Sequence, residues 1–314
     1  MGTNRKIVFL LFLFVALYAN SQNRWTTCRI SDTFSPENDI SAIRFDKNEK
    51  MWVATWNGLY KTTDSKWQRI GPGPQNVYIQ AFYIDNQNTK WLGLFGAGLY
   101  KSEDGMLWTP IKEILPANSI NVINADQVGN IWIGDWAHGV LSLKNNKWNF
   151  YKSDQINLGD NSVTSITSDS KKNIWFGTYH GISVYNELSG SKIYNRENSK
   201  LPDNDVYSLC SDSKNNIWIG TTNGLAKFNG KDWTVFKKET SEIPSNLILC
   251  IAEDQRGYIW IGTDKGLCFF NGKKWTTFNV ENSPLVDNRV QTITVHKSKI
   301  YIGTSKGMSI IECY

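Results

Sequence analysis

Short runs of alternating apolar and polar residues recur along the chain, each broken by Gly, Asn or Asp. "ISAIRF" at 40–45, "SVTSIT" at 162–167 and "RVQTITV" at 289–295 are β-branched-rich and too short for helices. A second type of run, "IWIGT" at 217–221, reads as a partner strand. "GLAKF" at 224–228 and "DWTVFK" at 232–237 complete a set of four. "NG" at 229–230 and at 271–272 stands between the third and fourth runs, a strong hairpin signal. Beyond the first twenty or so residues no stretch carries a helical period.

This set of four repeats. Its central aromatic falls at Trp52, Trp91, Trp132, Trp175, Trp218, Trp260 and Tyr301, at intervals of 39 to 43 residues. A period of roughly 40–45 residues with strand chemistry marks propeller blades. The expected fold is therefore all-β: a seven-bladed β-propeller of four-stranded antiparallel blades. The seventh copy, "GMSIIECY", ends after a third strand, whereas "RWTTCR" at 24–29 resembles "KWTTFN" at 274–279. Residues 24–29 are thus expected to close the ring as the outer strand of blade seven, covering an otherwise open edge.

The first segment differs from the rest. Arg5 and Lys6 precede the apolar run "IVFLLFLFVALYA", and the small residues Ala19 and Ser21 follow at cleavage spacing. This is the three-part pattern of a signal peptide, residues 1–21, leaving 22–314 as the propeller. The expected location is periplasmic or extracellular. Of 34 basic and 29 acidic residues, removing Arg5 and Lys6 leaves 32 against 29. These charges are scattered, which argues against nucleic acid as a partner. Five Cys, mostly in strand-like runs, read as small buried hydrophobes, with no spacing that selects a disulfide.

"SDSKNNIWIGTTNGLAKF" at 211–228 and "EDQRGYIWIGTDKGLCFF" at 253–270, preceded by "LPDNDVYSL" and "IPSNLILCI", resemble the two-component regulator propeller repeat. The resemblance covers residues 24–314. It implies an exported sensor-type module that binds a ligand, often a glycan fragment. In that family the propeller commonly belongs to a hybrid regulator; here one ring stands without a following membrane helix or kinase.

Repetition also separates scaffold from site. The Asp six residues before each Trp (Asp46, Asp85, Asp126, Asp169, Asp212, Asp254) reads as a turn acceptor. The Asn entering most blades (Asn38, Asn118, Asn161, Asn204, Asn246, Asn288) reads as a turn cap. The turn between second and third strands does not repeat faithfully. It is "TWNG", "LFGAG", "DWAHG" and "TYHG" in blades one to four, against "TTNG", "TDKG" and "TSKG" later. Trp56, Phe95, Trp136 and Tyr179 form an aromatic series there, joined by His138, His180 and Asp135. Exposed rings in Gly-rich turns fit a binding surface: flat rings stack on sugars, and His, Asp and Asn bond hydroxyls. The expected partner is an extracellular glycan or other small ligand, with a separate membrane or cell-surface protein as a further possibility. No cofactor or metal is expected, because the three His have no ligand spacing. Two other readings are a protein-interaction scaffold and a lyase using His138 or His180 as base beside Asp135.

Overall fold

The computed structural model describes residues 23–31, 35–63, 66–71, 78–111 and 119–313. The leader 1–21 and the cap Asn118 lie outside the described residues. Seven four-stranded antiparallel sheets form the molecule, six of them running in chain order from an inner to an outer strand. Blade five shows the unit: Val206–Ser211, Ile217–Thr221, Gly224–Phe228 and Trp233–Phe236. The seventh sheet takes its outer strand, Asn23–Cys28, from the N-terminal side. Asn23 lies opposite Cys313 and Cys28 opposite Met308; the strand begins and ends one residue before the expected 24–29.

First strands of consecutive blades touch all the way round, from Ile40–Phe45 to Val290–His296 and back, and so enclose the central channel. Every first strand carries a bulge after its first residue. The bulged side chain is free to cross to the next blade. Ser41 Oγ donates to the Ile79 carbonyl at 2.7 Å, and Asn121 Nδ2 to that of Val163 at 2.9 Å. One level further along, Asn124 Nδ2 reaches the Ile166 carbonyl and Thr294 Oγ1 that of Ile43, both at 2.8 Å. These bonds satisfy the carbonyls on the inner edge, which has no partner strand.

Between blades, the core is apolar. The Gly that follows "IWI" is there because the next blade lies against it: a Cβ on Gly134 would stand 2.6 Å from Val163 Cγ1 and 2.7 Å from Val122 Cγ1. The repeated Trp is buried in every blade that has one, and the repeated Asp explains how. In blade five, Asp212 Oδ1 accepts the N–H groups of Lys214 and Asn216 while Oδ2 accepts Trp218 Nε1 at 2.9 Å. The same indole bond joins Trp52 to Asp46, Trp91 to Asp85, Trp132 to Asp126, Trp175 to Asp169 and Trp260 to Asp254, at 2.9–3.1 Å. The Asp is thus a turn acceptor, as expected, and also the answer to the polar end of a buried indole.

The Asn caps work as read. Asn38, Asn204, Asn246 and Asn288 each accept, on Oδ1, a backbone N–H eight residues upstream. Asn161 does not: its incoming segment contains the one-turn helix Ser153–Ile156, and its buried Oδ1 has no donor among the described residues. All five Cys are free thiols. Burial pushes Cys210 up to about 12 and raises Cys250 and Cys268 as well, so they are inert hydrophobes in this core.

Candidate functional site

In blades one, four, five, six and seven the second-to-third-strand turn is four residues, Thr-x-x-Gly. The Thr hydroxyl donates to the Gly carbonyl, 2.7–3.0 Å away, and accepts the N–H two residues on. That closed motif leaves the first x side chain pointing away. The N–H of the residue following the second strand, in turns of either length, is fixed to the residue preceding an inner strand: Trp56 N to Asp39 O, Thr222 N to Asp205 O, Phe95 N to Tyr78 O, Trp136 N to Ser119 O. The turn side chains therefore stand beside the mouth of the channel.

In blade three the Asp serves its own turn. Its turn, Asp135–Gly139, holds one more residue, and a carboxylate can accept two successive N–H groups where a hydroxyl accepts one. Asp135 Oδ1 takes the N–H of Ala137 at 2.7 Å, that of His138 at 2.8 Å, and His138 Nδ1 at 2.8 Å. Asp135 itself is 1% exposed. It is thus not a contact residue on the surface, as the sequence reading had it, but the group that holds His138. Its Oδ2 is buried without a donor among the described residues.

His180 is not beside Asp135 either. Its Nδ1 pairs with Asp160 Oδ2 at 2.7 Å, and this bond contributes to a carboxyl held below its usual value against the opposing effect of burial. Asp160 belongs to the inter-blade loop 153–163. That loop packs between the two turns: Gly139 N donates to Asn161 O, and Gly159 lies against His180. Both imidazoles thus have Nδ1 engaged by a carboxylate, leaving Nε2 for a ligand. His296, the third His, stacks on Phe45 and bonds Glu49, so it takes no part here.

The four aromatics are not one series. Trp136 meets Tyr179 edge to face at 5.8 Å, and Tyr179 meets Tyr207 at 6.2 Å. Trp56 instead stacks on Tyr78 at 4.1 Å. Among the described residues no ring contact joins Phe95 to either group. Trp56, Phe95 and Trp136 are 49%, 58% and 42% exposed; Tyr179 is half-buried, and burial, with Tyr207 and then Asp205 and Asp160 adding to it, pushes its phenol up to about 12. Tyr207 and Tyr78 were missed. Tyr207 occupies the bulged position of an inner strand, where its neighbours carry Thr164 and Leu249, and that contrast was readable only once the bulge was known. Among the described residues no three His, Cys, Asp or Glu side chains converge as a metal site.

Three segments, 157–180, 200–223 and 242–265, match the two component regulator propeller family. No curated protein matches the chain in sequence. Among solved structures, the extracellular domain of BT3049 from B. thetaiotaomicron, described as part of a hybrid two component system, superposes with a TM-score of 0.79 at 24% identity over 91% of this chain. This chain covers 40% of that one. Virginiamycin B lyase from Staphylococcus aureus superposes at 0.76 with 11% identity, over 93% of this chain and 100% of its own. PorZ, a surface component of the type-IX secretion system of Porphyromonas gingivalis, gives 0.69 at 18%, over 88% and 46%. At these identities the likeness is one of fold.

Proposed function

The chain carries two component regulator propeller repeats, and from that premise we propose that it is an exported, non-enzymatic recognition module that binds an extracellular glycan. The ligand lies on the rail of Trp136, Tyr179 and Tyr207, flanked by His138 and His180. The observation that carries this reading is the rail itself: three rings in successive contact on blades three to five, with Trp136 and Tyr207 exposed; Trp136 and Tyr179 stand in turns where blades five to seven have Thr222, Asp264 and Ser305, and Tyr207 stands at the bulge of an inner strand. Ring faces offer apolar area to a pyranose, and the two oriented imidazoles offer Nε2 to hydroxyls. The structural likeness to extracellular sensor domains supports an exported site of action.

Calorimetric titration of soluble oligosaccharides tests it. Binding is expected in the native protein, weakened at least about tenfold by Trp136→Ala or Tyr179→Ala, a loss of ~1.4 kcal/mol, and unchanged by Leu188→Ala in a third-to-fourth-strand turn. Equal affinity of the native protein and Trp136→Ala refutes it.

A catalytic reading has one observation in its favour, the His138–Asp135 and His180–Asp160 pairs, since a carboxylate orients an imidazole as base. A polysaccharide elimination assay separates the two: turnover that is lost in both His138→Ala and His180→Ala would place the protein with the lyases.

A further inference from the structure

At the bulged and fifth positions of the inner strands the channel wall is neutral with one exception. At the fifth position of the inner strands six blades have Tyr83, Asn124, Thr167, Cys210, Ala252 and Thr294, while blade one has Arg44. None of the seven bulged residues is charged. Arg44 Nη1 donates to the Ile43 carbonyl at 2.8 Å and lies 3.5 Å from Thr294 Oγ1.

That contact does not account for an arginine. The Ile43 carbonyl already accepts Thr294 Oγ1 at 2.8 Å, and blade three closes the corresponding carbonyl with a neutral amide, Asn124. Nor is the charge balanced. Among the described residues no carboxylate pairs with Arg44, and the charge interaction felt by its guanidinium is that of Tyr83. The nearby acids are committed elsewhere: Asp46 to Trp52 and Lys61, Glu49 to His296 and Lys297. Burial alone lowers the guanidinium below its ordinary value. Arg44 is only partly buried, but even a partly desolvated cation without a counter-charge is costly, and a guanidinium carries five N–H donors in a planar fork.

We propose that the channel is an anion site: a small monoanion binds Arg44 at the level of Tyr83 and Thr294, and neutralises its charge. One charge calls for a monoanion. The site is separate from the aromatic rail, and the proposal stands independently of the glycan reading.

The probe is bromide. Melting of the full protein is followed as sodium bromide replaces sodium gluconate at constant ionic strength. The melting temperature is expected to rise saturably, by about 3 °C at ten times the dissociation constant, and Arg44→Met is expected to abolish the rise. Equal rises in both proteins would overturn the proposal. Anomalous diffraction from native crystals grown in bromide covers a variant that fails to fold: a peak beside the Arg44 guanidinium supports the site, and bromide peaks found only elsewhere overturn it.

Discussion

Replacing Asp212 by Ala isolates the clasp that this fold repeats in six blades. The carboxylate accepts Lys214 N at 3.0 Å, Asn216 N at 2.7 Å, Asn216 Nδ2 at 2.7 Å and Trp218 Nε1 at 2.9 Å. Lys214 is exposed and water can replace its acceptor. Asn216 and Trp218 are 8% and 2% exposed, so their donors are left without one. At ~1–3 kcal/mol for each buried group orphaned, the expected loss is ~3–5 kcal/mol. In urea unfolding, with a slope near 3 kcal/mol/M, the midpoint falls by ~1–1.5 M. Trp218→Phe removes only the indole N–H and some volume, and is expected to lose less, ~2 kcal/mol. In the double mutant the Asp loss should shrink by ~1–2 kcal/mol, because the indole is no longer there to be orphaned. A change below 1 kcal/mol for Asp212→Ala, or strict additivity with Trp218→Phe, would refute the reasoning.

Other expectations follow from the same structure. Gly134→Ala forces a Cβ to within 2.7 Å of Val122 and Val163 and should destabilise by ~1–3 kcal/mol, with partial rescue by Val163→Ala, read from the urea midpoint. Asp39 is raised to about 6, chiefly by burial and further by Asp287, with Arg289 opposing. A carboxyl raised above its unfolded value weakens the fold above pH ~6, and that loss is recovered as pH falls towards ~4. Asp39→Asn should therefore raise the melting temperature at pH 7.5 and not at pH 4.5; after screening at this half-exposed position the gain is ~1 kcal/mol. Deleting residues 23–28 removes the partner of Gly307–Cys313 and the Trp25–Phe278 contact at 5.2 Å. Light scattering should then show aggregation through the bared edge.

The blades were legible because repetition amplifies weak signals. One "IWIGT" is ambiguous, but six near-copies spaced 39 to 43 residues apart admit few folds, and the resemblance of Trp25 to Trp275 located the closing strand. The Asp–Trp bond was hidden: six residues of separation say nothing about contact until the hairpin brings the indole under the turn. The site was half legible. Departure from the repeat pointed to the turns of blades one to four, but a departure does not say which way a side chain faces. Asp135 went inside to accept the N–H groups of Ala137 and His138, whereas blade two closes a turn of the same length with Leu94 in that place. Asp160 and Tyr207 entered from a neighbouring loop and an inner strand, where partnership depends on how blades pack.

The seventh blade pairs Asn23 with Cys313, the first and last residues of the described strands. Of the described strands, the first in the chain thus pairs with the last. The ring can gain this contact only once Gly307–Cys313 is available, and closing so distant a pair is slow. Any factor that shields the segment "NRWTTC" until then would govern how much of this protein reaches its closed form.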